Sequence, residues 1–162
     1  MIQQQPVRHL YIMRHGQAEE LAGRDRDRVL TVEGQLEARQ MGQWLASLKG
    51  APRAALVSPY ARARQTFELV NQSLRLPALQ VTVLDELTPH GDASRIRDYL
   101  YALCQQQTED LLVVSHMPLV SFLVELLDPR QMAPMFPTAA VARLNFDGEK
   151  GQYQGLTLPA SN

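Results

Sequence analysis

The chain has 162 residues, of which 45% are hydrophobic and 20% are charged, and its formal net charge is −1. This length predicts a single domain over residues 1–162, and the near-neutral charge gives no reason to expect a nucleic acid or a membrane as partner. Cys104 is the only cysteine and the N-terminus lacks the pattern of a signal peptide, so we expect a cytoplasmic protein without an internal disulfide. A monomer is the expected oligomeric state.

The first half of the chain alternates between predicted strands and helices. Residues 7–13 are a short apolar run bounded by polar residues, which is typical of a buried strand. In the polar loop that follows, the charge run over 24–28 alternates in sign and indicates a solvated segment. Thr31 is the predicted N-cap of a helix that ends near Lys49-Gly50 and carries apolar residues at roughly helical spacing: Val32, Leu36, Met41, Trp44, Leu45 and Leu48.

A second strand is predicted over residues 54–57, and a second helix follows it directly. Ser58-Pro59 predicts an N-cap and a proline at the first helical position. The buried face of this helix is expected to hold four residues: Ala63, Phe67, Val70 and Leu74.

The second half of the chain continues the alternation and ends in a hairpin. Strands are predicted over 79–84 and 111–114. One helix is predicted from Asp92 or Ser94 to about Gln106, and another ends near Leu127. Two alternating segments over 140–146 and 152–158 complete the chain. Strands that alternate with helices predict a three-layer α/β/α fold with a largely parallel central sheet and a C-terminal antiparallel hairpin. The segment from Leu84 to Leu111 holds only about one helix, which leaves no room for a helical cap.

Polar residues follow four of the predicted strands at the point where each strand ends. Arg14-His15 follows the first strand, Arg62 lies shortly after the second, Glu86 follows the third and His116 follows the fourth. The carboxyl ends of parallel strands meet at one edge of a sheet, so we expect these side chains to converge there. Gly16 has no side chain and lets the backbone approach a ligand closely. Cations, imidazoles and a helix N-terminus at one edge favour a phosphoryl group as ligand.

Each of these residues also has an ordinary structural interpretation. Ser58 is interpreted mainly as a helix cap. For His116, a core histidine bonded to the backbone is as good an interpretation as a ligand-binding residue. For Glu86, a carboxylate that complements a nearby charge is as good an interpretation as a functional one. A metal site is the natural rival for two histidines, but arginines would repel a cation there, so neither a metal nor a cofactor is expected. His9 and His90 are expected at the surface.

Three motifs in this order resemble the histidine phosphatase superfamily, whose fold is phosphoglycerate mutase-like. They are Arg14-His15-Gly16, Ser58-Pro59-x-x-Arg62-x-x-Gln65-Thr66 and Ser115-His116. Four further stretches are similar to the SixA-type phosphohistidine phosphatases: Arg28-x-Leu30-Thr31-x-x-Gly34, Glu86-Leu87-Thr88-Pro89-x-Gly91-Asp92, Ser115-His116-x-Pro118-Leu119-Val120 and Pro134-Met135-Phe136. The resemblance spans nearly the whole chain.

The resemblance implies a role for each matched residue. His15 is the implied nucleophile, and the implied phosphate pocket is formed by Arg14, Arg62 and His116, to which we add Gly16. Glu86 is the candidate general acid. Arg28 and Gln17 are candidates for the substrate groove, and Gln17 stands where that branch often has an acidic residue. The implied substrate is a histidine-containing phosphotransfer protein or a similar phosphohistidine carrier.

The predicted reaction begins with attack of neutral His15 on phosphorus, while a protonated His116 donates to the phosphoryl group. Two other functions stay open from the residues. One is a small phosphomonoesterase that acts on sugar or nucleotide phosphates, and the other is a phosphate-binding module without turnover.

Overall fold

The computed structural model describes residues 7–20 and 23–160. Within these residues the chain forms six strands and four α-helices, in the order β1 Arg8–Arg14, α1 Val32–Ser47, β2 Ala54–Val57, α2 Ala61–Leu74, β3 Val81–Val83, α3 Ala93–Cys104, β4 Leu111–Ser115, α4 Leu119–Leu127, β5 Val141–Phe146 and β6 Gly151–Thr157. Two short 3-10 turns cover Asp25–Asp27 and Ala78–Gln80. Thr31 is confirmed as an N-cap, and of the two candidates Asp92 and Ser94 it is Asp92 that caps α3, since each of the two caps accepts a hydrogen bond from a backbone amide of its helix.

The six strands form one sheet in the order β3-β2-β4-β1-β5-β6. Strands β1 to β4 run parallel to one another, whereas β5 pairs antiparallel with both β1 and β6. The largely parallel sheet and the C-terminal hairpin are therefore confirmed.

The sheet separates two apolar cores, which makes the fold three-layered. Along β1, Tyr11 and Met13 face the core that packs against α1 and α2, whereas Leu10 and Ile12 face the core that packs against α3 and α4. All residues of β4 are buried, because this strand lies in the middle of the sheet with helices on both faces.

Small residues, together with Met41 and Leu45 from the predicted apolar set, bring α1 close to its neighbours. Val32 and Leu36 are exposed, and the buried face of the helix includes Gly34, Ala38 and Gly42. A Cβ at Gly42 would lie 2.7 Å from the Cα of Val70, so only glycine permits this approach to α2. Val32 and Leu36 share the helical spacing but lie outside the buried face, because periodicity alone does not separate a close helix contact from a wide apolar face.

Two element boundaries differ from the sequence predictions. Helix α2 begins at Ala61 with Tyr60 as its N-cap, so Ser58 is not the cap and Pro59 is not at the first helical position. Strand β3 has only three residues, because the preceding residues 78–80 form a 3-10 turn instead of extending the strand.

One helix, α3, connects β3 to β4, which confirms that no helical cap is inserted there. His9 is half-buried instead of fully at the surface, since it lies in β1 and its amide donates to the Asp110 carboxylate at 2.6 Å. His90 is exposed as expected. None of the helices in the described part of the chain is long and apolar enough to cross a membrane.

Candidate active site

Backbone hydrogen bonds bring the carboxyl ends of three strands together. The amide of His15, just after β1, donates to the carbonyl of Ser115 at 3.0 Å, and the amide of Ser58, just after β2, donates to that of Val114 at 3.0 Å. The residues that follow β1, β2 and β4 therefore lie at one edge of the sheet, as the sequence predicts.

The hydrogen bonds of His15 define its tautomer. Its Nδ1 lies 2.7 Å from the carbonyl oxygen of Gly16, which is an acceptor, so Nδ1 carries the proton. Its Nε2 accepts from Nε of Arg62 at 3.3 Å and therefore holds a lone pair. Burial, reinforced by the nearby arginines, lowers the pKa of His15 to about 4, although the Gly16 bond acts in the opposite direction. The imidazole is thus neutral near pH 7, with Nε2 ready to act as a nucleophile.

Arg62 is the second residue of α2, so it lies in the first helical turn. Only 4% of it is exposed, and its guanidinium lies 5.1 Å from the centre of the Tyr60 ring. Besides the bond to His15, Nη1 donates to the backbone carbonyl of Asp25 at 2.8 Å and Nη2 donates to the Asp25 carboxylate at 3.2 Å. These contacts hold the planar fork of Arg62 beside the lone pair of His15.

Arg14 is the last residue of β1, and a residue far along the chain anchors its side chain. Its Nη1 donates to the carbonyl of Phe136 at 2.8 Å, and its Nε is buried without a hydrogen-bond partner among the described residues. A buried donor of this kind favours an anionic ligand, because an oxygen atom would satisfy it.

His116 is almost fully buried at the end of β4, with its ring centre 5.2 Å from that of His15. Its Nε2 lies 2.7 Å from the hydroxyl of Ser58, and the Tyr60 ring packs edge-on against it. Burial, followed by the charges of its neighbours, lowers the pKa of His116 to about 2. The imidazole is therefore neutral in this pocket, which corrects the prediction of a protonated His116.

Of the two predicted groove residues, Arg28 is joined to this cluster through Asp25. Arg28 donates to the carbonyl of Glu19 at 2.7 Å and to the Asp25 carboxylate at 3.1 Å, so Asp25 links Arg28 to Arg62. Gln17 is exposed, and its side chain accepts from the hydroxyl of Thr31 at 2.8 Å.

Gly16 lets its own backbone lie close to the backbone of helix α1. A Cβ at this position would lie 2.7 Å from the carbonyl oxygen of Gly34 in α1, and the Gly16 amide donates to the Thr66 hydroxyl at 3.0 Å. Gln65, the residue before Thr66, accepts a hydrogen bond from the Leu30 amide at 2.8 Å. The Gln65-Thr66 pair of the motif therefore anchors both ends of the loop over 17–30.

Glu86 is not joined to the cluster by any hydrogen bond or ion pair in the described residues. It is exposed and lies 4.0 Å from the guanidinium of Arg95. Its role as a general acid stays a prediction.

The sequence analysis did not assign Asp25 to the cluster, and it gave Ser58 no contact with a side chain there. Asp25 lies in the charge run expected to be solvated, and Ser58 was taken mainly for a helix cap. The mixed signs of that run indicate ion pairs, but they do not show which arginine each carboxylate contacts. A serine before a helix has the same sequence pattern whether it caps the helix or binds a side chain. Among the described residues, no group of three or more His, Cys, Asp or Glu side chains could hold a metal ion.

The fold and this cluster define an α/β/α protein with a buried, cationic pocket in which a neutral imidazole faces an arginine fork. The model of the histidine phosphatase superfamily (branch 1) matches residues 10–92, and the chain belongs to that superfamily. This confirms the predicted class of enzyme, a phosphatase with a histidine nucleophile.

Individual relatives agree with this assignment. Phosphohistidine phosphatase SixA of Escherichia coli (strain K12) is 44% identical over 138 residues, which cover 85% of each chain. A SixA homolog of Haemophilus influenzae is 38% identical over 89% of this chain and 92% of its own. The solved structure of the protein histidine phosphatase SixA complexed with tungstate superimposes with a TM-score of 0.88 at 41% identity, covering 93% of this chain and 97% of that one. These matches confirm the predicted resemblance and fold.

Proposed function

We propose that this protein is a protein phosphohistidine phosphatase that removes phosphate from a histidine-containing phosphotransfer protein, within a single domain over residues 1–162. The observation that carries the proposal is His15 itself, whose Nδ1–H is tied to Gly16 while its Nε2 lone pair faces Arg62. The names of the two SixA relatives support the substrate class. Tungstate in the SixA complex is a tetrahedral oxyanion like phosphate, which supports a phosphate site.

In the proposed first step, Nε2 of His15 attacks phosphorus in line and the P–N bond of the substrate breaks. The bonding electron pair goes to the substrate imidazole, which leaves neutral because its other nitrogen carries a proton. In the second step, water attacks phosphorus, the bond to Nε2 breaks and phosphate departs with the water oxygen. Arg14 and Arg62 stabilise the phosphoryl oxygens throughout, since their charge persists at every working pH.

The carboxylate beside the pocket supports phosphohistidine over a phosphate ester. An ester leaves as an alkoxide and needs an acid, whereas neutral imidazole has a conjugate-acid pKa of about 6.5 and needs none. Asp25 is the carboxylate that hydrogen-bonds to the cluster in the described residues. Burial acts to raise its pKa, but hydrogen bonds and charges from Arg28 and Arg62 outweigh this and lower it, so Asp25 stays ionised and is no acid.

The shape of the site supports a protein substrate. With α3 as the one helix between β3 and β4, no inserted cap covers the edge of the sheet where the cluster lies. We propose that a phosphorylated side chain on the surface of another protein reaches the pocket through this open edge.

The test compares a histidine-phosphorylated transfer domain with a sugar phosphate as substrates. We expect kcat/KM to be at least about 100-fold higher for the phosphohistidine, because general-acid assistance to an ester is worth about that factor or more. Released phosphate is measured for both substrates in the presence of a chelator, since the arginines supply the positive charge. Faster hydrolysis of the sugar phosphate would contradict the proposal, and release of no phosphate from either would indicate a binding module.

Asp25 is expected to compete with phosphate for Arg62. Its carboxylate accepts from Nη2 of Arg62, which lies on the same side of the guanidinium as the Nε that faces His15. Asp25→Asn is therefore expected to lower the inhibition constant of inorganic phosphate by about two- to fivefold, the range of an exposed ion pair. Asp27→Asn is the matched control, because Asp27 lies in the same 3-10 turn but its carboxylate pairs with exposed Arg24. Weaker inhibition of Asp25→Asn than of the control would show that Asp25 only positions Arg62.

A further inference from the structure

The hydroxyl of Ser58 is buried next to His116 and is held there by the sheet. Ser58 has no exposed surface, and its amide is fixed by the hydrogen bond to Val114 in β4, two residues before His116. The 2.7 Å contact between its Oγ and Nε2 of His116 therefore joins two rigid strand ends. The backbone amide of Tyr60 donates to the same oxygen at 3.2 Å.

These contacts determine the direction of the hydrogen bond between Ser58 and His116. The Ser58 oxygen already accepts from the Tyr60 amide, and its single proton needs an acceptor of its own. Nε2 of His116 is that acceptor among the described residues. The opposite direction would leave the hydroxyl proton of a fully buried serine without any described partner, which is costly. Nε2 therefore holds a lone pair, and a neutral His116 carries its proton on Nδ1.

Nδ1 of His116 is the nitrogen that this arrangement leaves for a ligand. It is buried and has no hydrogen-bond partner among the described residues. As an N–H group it is a donor, which suits a phosphoryl oxygen and does not require a positively charged imidazole next to two arginines.

We propose that Ser58 is a positioning residue that fixes His116 in the Nδ1–H tautomer, so that a neutral imidazole donates to the phosphoryl group during transfer. The two histidines of the pocket then share one tautomer and have opposite tasks. His15 uses its free Nε2 to attack, and His116 uses its Nδ1–H to donate. This inference rests on the proposed function for its catalytic consequence, but the tautomer is a property of the free protein.

The experiment reads the tautomer directly from the imidazole ¹⁵N signals of His116, which distinguish a protonated from an unprotonated ring nitrogen. In the unsubstituted protein we expect Nδ1 protonated and Nε2 unprotonated at pH 7. In Ser58→Ala we expect a shift toward protonated Nε2, together with a fall in kcat of about ten- to 100-fold, the usual cost of removing a group that orients an imidazole. KM is expected to change less than kcat, since the donor acts mainly in the transition state.

Ser115→Ala is the matched control. Ser115 is as fully buried as Ser58, lies at the neighbouring strand end and loses a comparable hydrogen bond, from its Oγ to the carbonyl of Leu87 at 2.9 Å. We expect this variant to keep the ¹⁵N pattern of His116. The proposal is overturned by protonated Nε2 in the unsubstituted protein, by an unaltered pattern or an unaltered kcat in Ser58→Ala, or by the same change in Ser115→Ala. Absence of turnover in the unsubstituted protein would contradict the proposed function instead, while its ¹⁵N spectrum would still decide the tautomer.

Discussion

Replacing His15 with alanine is expected to abolish covalent phosphorylation of the protein and to lower kcat by about 10⁴- to 10⁶-fold, the scale on which covalent enzymes lose activity without their nucleophile. The physical reason is that Nε2 of His15 is an available lone pair beside the guanidinium of Arg62. In the alanine variant we expect the cationic pocket to keep its affinity for phosphate, but no atom is left to accept the phosphoryl group. The measurement is transfer of labelled phosphate from a phosphorylated transfer domain to the protein, quenched before hydrolysis.

His90→Ala is the matched control for this prediction, since His90 is exposed and follows the short β3 without contacting the cluster. It is expected to keep both labelling and turnover. Stoichiometric labelling of His15→Ala would assign the nucleophile to another residue. Labelling lost from both variants would mean that the substitutions act through folding, which circular dichroism detects.

The same interpretation of His15 has a consequence for pH. With a pKa lowered to about 4, the ring keeps its lone pair as the pH falls from 7 to 5.5 and takes up a proton only near pH 4. A histidine with the ordinary pKa of about 6.5 would already be about 90% protonated at pH 5.5. The ¹⁵N signals of His15 in the free protein are therefore expected to stay constant over that interval. Titration of His15 near pH 6.5 would show that burial and the neighbouring arginines do not determine the pKa of its ring.

Much of this architecture follows from local patterns, because each pattern corresponds to one dominant force. The apolar run of β4 predicts a central strand, since no other element of that length buries every side chain. Thr31 and Asp92 predict helix starts, because a short polar side chain at that position satisfies a free amide. The convergence of Arg14, His15 and His116 follows from the parallel order of the strands alone.

What the sequence did not predict depends on contacts between distant segments. Ser58 lies before a proline and a helix, so a cap is the local expectation, and only the pairing of β2 with β4 brings its hydroxyl to His116. Asp25 and Asp27 are indistinguishable in an alternating charge run, yet one of them reaches Arg62. The charge state of His116 was wrong for a related reason. Burial beside His15 and Arg62 lowers the pKa of His116 in the free pocket, and this burial follows from the fold rather than from the local sequence.

Arg62→Ala is expected to lower kcat by about 10²- to 10³-fold, the range for removing one preorganised donor to the developing charge. Arg62 is 4% exposed and its guanidinium contacts both His15 and Asp25, so alanine removes the fork that we propose holds phosphate oxygens in line with Nε2. Arg62→Lys is expected to fall between alanine and the natural residue, because lysine keeps the charge but not the two-pronged geometry. Single-turnover formation of phospho-His15 is the measurement that isolates this step.

Arg64→Ala provides the matched control, since Arg64 is two residues further along α2, exposed, and without a described contact to the pocket. Its kcat is expected to stay within about twofold of the natural protein, as surface substitutions usually do. Equal activity of the Arg62 and Arg64 variants would contradict the phosphate role of Arg62. A loss in Arg62→Lys as large as in Arg62→Ala would show that the fork, rather than the charge, carries the effect, because the two variants differ mainly in the positive charge that lysine retains.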